Sequence, residues 1–211
     1  MRRFLTGALA LGFVTAAAFA GSASATQDQQ DEVAASRTVV VNEASAIGPN
    51  GQLDEAVEIL NITNRPLDIS DYVVRVYGSN NQQLGADINV PDGTVLQPRG
   101  NAGQFLVLTG PNFSSVVEDA TYVVPFGVLG QQGIPNNGGI AIFNSSDSPF
   151  KIDGVAFSTM ATTPLEGQPA TAESQTTAQL EAANARDVLS TDTDNNRQDF
   201  SLHQRTLGAV N

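Results

Sequence analysis

The reading of the fold turns on Val39-Val40-Val41-Asn42-Glu43 and, after a gap containing Gly, Pro and Asn, on Asp54-Glu55-Ala56-Val57-Glu58-Ile59-Leu60-Asn61. The first stretch is β-branched. The second alternates with period two, placing Glu55, Val57 and Ile59 on one side of an extended chain and Ala56, Glu58 and Leu60 on the other. Outward from this pair the pattern recurs at residues 72–77, 88–90, 94–96, 104–108, 120–124, 139–143 and 151–157, with Gly, Pro, Asn and Asp between. Pro91-Asp92-Gly93 reads as a tight turn. About nine short strands without a helical period predict an all-β protein, a sandwich or barrel of antiparallel sheets. Val39, Val57, Phe143 and Phe200 are expected to share one interior, each large apolar side chain contributing roughly 1.5–3 kcal/mol on burial.

Upstream, Met1-Arg2-Arg3 precedes a mostly apolar run and Ala23-Ser24-Ala25, the layout of a secretory signal peptide over residues 1–25, cleaved between Ala25 and Thr26. No later run approaches eighteen apolar residues, so no membrane insertion is expected after cleavage. Residues 26–36 read as a polar flexible arm, and the folded region as 37–211. Downstream, an Ala/Gln-rich insertion around 160–184 reads as a surface helix or a loose segment, its helical composition extending to Leu189. The last strand, with Asp199-Phe200-Ser201-Leu202, is expected to pair with residues more than a hundred positions earlier.

Composition excludes several functions. Loss of residues 1–25 removes two of the 10 basic residues and none of the 22 acids, taking the net charge from -12 to -14. Such a chain repels phosphate backbones and anionic lipid, which argues against nucleic acid as a partner. With no Cys there is no disulfide and no thiolate chemistry. A single histidine, His203, rules out a multi-His metal site.

The order of several motifs resembles the lamin-tail domain family, in particular its secreted bacterial branch. Val39-Val40-Val41-Asn42-Glu43 is similar to the family's opening strand, and Asp54 to Asn61 to its second, with Ala56 where a large aromatic is usual. Pro66-Leu67-Asp68-Ile69-Ser70-Asp71-Tyr72 resembles the next element, and the Gly-rich turn at residues 134–139 a later one. The Asp/Asn-rich run 192–196, Asp199-Phe200, Leu207-Gly208 and Asn211 resemble its ending. The resemblance implies an immunoglobulin-like antiparallel β-sandwich, a scaffold or interaction module without a shared catalytic set. It also implies structural roles for Asn42, Glu43, Glu58, Asn61, Asp68 and Phe200.

Candidate chemistry is sparse. Asp54, Glu55, Glu43 and Glu58 are carboxylates on adjacent strands, a pairing that acid/base catalysis can use but that solvated or structural carboxylates share. Glu58, between Ala56 and Leu60, needs a partner if its face is covered, with Arg75 or Arg37 available, or a backbone N–H. Asp192, Asp194 and Asn196, with Asp199 nearby, place oxygen ligands at alternating loop positions, which suits calcium. The same side chains serve equally as turn caps. Asp199, Ser201 and His203 share a strand face, yet no nucleophile elbow accompanies them. Asn61, Asn112 and Asn144 head glycosylation-type tripeptides. The expectation is a secreted, non-enzymatic module with no catalytic residues and no cofactor unless calcium, binding an extracellular or cell-surface protein or glycan. The alternatives are a calcium-dependent extracellular hydrolase or accessory nuclease, and a self-associating envelope or matrix component.

Overall fold

The computed structural model describes residues 35–118, 121–127 and 132–211. The expected leader over 1–25 lies outside them, as does the arm up to residue 34. Among the described residues, no helix is long and apolar enough to cross a membrane.

The protein is largely β-sheet. Its strands are β1 (Val39–Ser45), β2 (Ala56–Asn61), β3 (Leu67–Asp68), β4 (Val73–Tyr77), β5 (Ile88–Asn89), β6 (Val95–Leu96), β7 (Phe105–Thr109), β8 (Tyr122–Pro125), β9 (Gly139–Phe143), β10 (Lys151–Ala156), β11 (Ala182–Ala185) and β12 (Ser201–Gln204). Two short helices, α1 (Gln175–Gln179) and α2 (Asn196–Asp199), lie in the last third. One sheet has the order β12-β11-β1-β2-β7-β8, a second β10-β9-β4-β5, and β3 pairs with β6 alone. The period-two alternation decides which side chains meet. Val39, Val41, Val57, Ile59, Leu106 and Leu108 from the six-stranded sheet share one apolar cluster with Val74, Val76, Ile140, Ile142 and Val155 from the four-stranded sheet.

Several expectations are corrected. The pairing is not wholly antiparallel, because β8 runs parallel to β7. Parallel neighbours need a crossover, and this one lays Phe113 and Val117 against Ala56, Val107 and Leu207 on the sheet's other face, filling space beside Ala56. The Pro91-Asp92-Gly93 turn forms, with Thr94 N–H donating to Pro91 C=O, yet its flanking strands do not pair. β5 joins β4 and β6 joins β3, so the turn carries the chain from one sheet to another. Phe143 is not in the common interior with Val39, Val57 and Phe200. With Ile140 and Ile142 facing inward, Phe143 must face outward, where it packs with Val73, Tyr77 and Ala141 beneath the Arg75 guanidinium.

The Ala/Gln-rich region is helical over only five residues, opened by a Ser174–Thr177 capping box and closed by Glu181 at φ 52°. Ala182–Ala185 is a strand instead, set between β1 and β12. Sheet pairing overrides the helix propensity of alanine there. The final strand therefore pairs locally with β11, and it is β11 that reaches back to β1, through Glu43↔Ala185 and Ala44↔Asn184.

Candidate functional site

The densest chemistry surrounds Arg186, the residue after β11, whose side chain is fully buried. A β-bulge between Val41 and Glu43 interrupts the β1 ladder, and the freed backbone of Val41 is taken up by two charged side chains. Val41 N–H donates to Asp153 Oδ2 at 2.6 Å, and Arg186 Nε donates to Val41 C=O at 2.8 Å. Arg186 Nη2 reaches both oxygens of Asp153 at 3.1 Å, and Nη1 reaches Thr191 C=O at 2.7 Å, Asp199 at 3.1 Å and Asp192 at 3.4 Å. The guanidinium lies 4.5 Å over the Phe200 ring. Burial alone would lower the Arg186 pKa, but the charges of Asp153, Asp192 and Asp199 outweigh it and raise it. Asp153 belongs to β10 and Val41 to β1, so this network joins the two large sheets.

The four residues expected as a calcium loop are placed differently from a common ligand shell. Asp192 and Asp199 bind Arg186. The fully buried Asn196 accepts from Ala156 N–H and Glu166 N–H and donates to Gly154 C=O. Asp194 accepts from the Ala35 backbone; burial and Asp192 raise its pKa. The carboxylates that do converge are Asp153, Glu166 and Asp192, with ligand oxygens all within 4.8 Å of one another, a grouping that could hold a divalent cation. Lys151 Nζ stands 3.2 Å from Glu166. Burial pushes Glu166 up to about 9, reinforced by Asp153 and Asp192 against the pull of Lys151.

On the other face of the six-stranded sheet, Glu43 and Glu58 are cross-strand partners. The partners of Glu58 are neither Arg75, which pairs with Asp87, nor Arg37. They are Asn42 Nδ2, at 2.8 Å, and the Gly208 N–H. Glu43 Oε2 accepts from the N–H and hydroxyl of Thr206, each at 3.0 Å. Burial raises Glu43 and pushes Glu58 to about 8. Asn61 is buried and donates to the carbonyls of Arg65, Leu96 and Gln97, which makes its tripeptide a turn lock with no exposed acceptor amide. Asp68 caps the Ser70 turn. Phe200 lies in the shared core.

The remaining candidates are held in structural contacts. Asp54 accepts from Arg205, Ser114 and Asn50, and Glu55 from Ile134 N–H. Ser201 Oγ lies 2.7 Å from His203 Nε2 on an exposed edge, while the Asp199 carboxylate faces away onto Arg186 and Thr193. Arg186, Asp153, Glu166, Arg205 and Glu173 went unnoticed in the sequence. Asp153 and Arg186 each stand in or beside an apolar strand, a signal that a buried charge needs a partner. A cleft lined by Asn42, Leu60, Arg99, Phe105, Val188 and Val210 opens on the outer face. Comparison of the chain with protein-family models and with curated proteins returned no match.

Proposed function

We propose that the protein is a secreted, non-enzymatic interaction module, an immunoglobulin-like β-sandwich of the lamin-tail type, whose partner is an extracellular or cell-surface protein or glycan. The observation that carries this reading is where the carboxylates go. Asp54, Glu55, Glu43, Glu58, Asp153 and Asp199 all hold backbone amides, hydroxyls or guanidinium groups of the chain itself. The shared core between the two large sheets and the order of motifs from Val39 to Asn211 support the sandwich. Val188, Leu189 and Val210 are each more than half exposed beside the outer cleft, and such apolar exposure suits a contact surface.

A pull-down from the producing organism's surface fraction tests this reading. Wild type should retain a defined partner, and Val188→Asp with Val210→Asp should lose it while melting normally. Metal-dependent turnover of nucleic acid or glycan substrates, abolished by Asp192→Asn, would instead establish the hydrolase.

A second reading rests on the Asp153, Glu166 and Asp192 grouping. A calcium ion there would add a third cation beside Arg186 and Lys151 and stiffen the junction of β10, the segment before α1 and the loop before α2.

A further inference from the structure

The segment from Arg205 to Asn211 lies as a strap over the outer face of the six-stranded sheet. Leu207 packs on Ala56 and Val107. Asn211 Nδ2 donates to the carbonyls of Asn42 and Arg186. Gly208 has φ 83°, and a side chain there would meet Thr121 Oγ1 at 2.5 Å and Glu118 N at 2.9 Å, so the strap sits close to its neighbours. Beneath it Thr206 and Gly208 donate to Glu43 and Glu58, both at most 1 % exposed.

Two acceptors in this pocket of polar groups are buried and lack a donor: Glu43 Oε1 and Asn42 Oδ1. A buried acceptor left empty costs about 1–3 kcal/mol, which a donor on the cross-strand neighbour would recover. Glu58 is the neighbour that can supply one, because a protonated carboxyl donates where a carboxylate cannot. We propose that Glu43 and Glu58 share a single proton, bound on Glu58 and donated to Glu43, and that this proton latches the Arg205–Asn211 strap onto the sheet.

Charged groups around the pair fit one shared proton. Arg205 lies on the Glu43 side but is itself paired with Asp54, and Glu173 also feels its charge. The Arg186 guanidinium is turned toward Asp153. Glu118, beside the strap, is exposed, and β7 and β8 present Val107 and Val123, which carry no charge. One cation, already engaged, faces two carboxylates. When the proton leaves to solvent base, two adjacent carboxylates remain buried, and lifting the strap exposes them to solvent. With the closed-state Glu58 titrating at about 8 and a solvated glutamate at 4.5, opening becomes easier by about tenfold per pH unit from about 5 to 8.

Amide hydrogen exchange tests the latch. In wild type, protection of the Thr206 and Gly208 amides, taken relative to amides of β2 and β7 and corrected for intrinsic exchange, should fall steeply between pH 5 and 8. In Glu58→Gln, which keeps a permanent N–H at that position, the ratio should stay flat. A flat ratio in wild type, or an undiminished slope in Glu58→Gln, overturns the proposal. Should that variant not fold, carboxyl NMR of wild type decides: Glu58 still protonated above pH 7 supports the latch, and titration near 4.5 refutes it.

Discussion

Replacing Arg186 with methionine tests the sheet-joining network most directly. Methionine keeps much of the stem's volume and its contact with Phe200, but it removes donors to Val41, Thr191 and Asp153 and the charge facing Asp192 and Asp199. The chain is left with three carboxylates at a site where the Arg186 side chain has no exposure to water. Breaking a buried pair by removing one partner costs about 3–5 kcal/mol, a large fraction of the roughly 5–15 kcal/mol that holds a domain together. For a domain of this size the melting temperature should fall by about 6–20 °C. Urea denaturation of wild type, Arg186→Met, Asp153→Asn and the double variant measures it. The double variant should lose less than the sum of the singles, because Asp153→Asn removes one of the stranded charges. Arg65→Met, at an exposed position, should stay within about 0.5 kcal/mol of wild type. A loss below about 1 kcal/mol in Arg186→Met, or strict additivity with Asp153→Asn, would refute the argument that this network joins the sheets.

Burial pushes Glu55 and Glu173 to about 7 from the usual 4.5. The folded chain therefore holds protons that the unfolded chain has released, and stability is greatest near pH 5 and falls as pH rises through about 7, by at most about 3 kcal/mol per group. Urea midpoints at pH 5 and 8 check the sign, since a higher midpoint at pH 8 contradicts it. Gly154→Ala places a Cβ 2.7 Å from Pro164 O and 3.1 Å from Pro164 Cα. That should cost about 1–3 kcal/mol and speed limited proteolysis within residues 158–170; unchanged cleavage would show that the segment shifts freely. Calcium at a hundredfold excess over its Kd should stabilise the wild type by about 2.7 kcal/mol but not Asp192→Asn. Calorimetry that finds no calcium-dependent shift in wild type removes the ion from the structure.

What was legible in the sequence followed local periodicity. The alternation in residues 54–61 placed Val57 and Ile59 together and Glu58 opposite because side-chain direction in a strand depends only on parity. Phe143 shows the limit of that logic: its strand was visible, but which parity faces inward is set by Ile140 and Ile142 meeting the other sheet. β11 was hidden for a different reason. Ala182–Ala185 has helical composition, and its extended state comes from β1 and β12 on either side, which are distant in sequence or follow it. The carboxylate cluster was partly legible, since Asp192 stood out in an acidic loop, whereas Asp153 and Glu166 join it only through the fold.

The acidic loop also shows how one sequence pattern can serve two cations. Alternating Asp and Asn side chains offer hard oxygen ligands, but a guanidinium on the residue that follows β11, just before the same loop, meets those oxygens at no translational cost. Arg186 takes Asp192 and Asp199 in this way, and the planar fork suits it because its donors point to several acceptors at once. A divalent ion would then have to share Glu166 with Lys151, Asp192 with the Ser36 N–H and Arg186, and Asp153 with Arg186. Burial and the charges of Asp153 and Asp192 raise the Glu166 pKa, so an arriving ion works against a carboxyl that favours its proton as well as competing with Arg186 and Lys151. The geometry thus favours the protein's own cation in dilute calcium and makes any metal a second occupant, added to a junction that Arg186 has already closed.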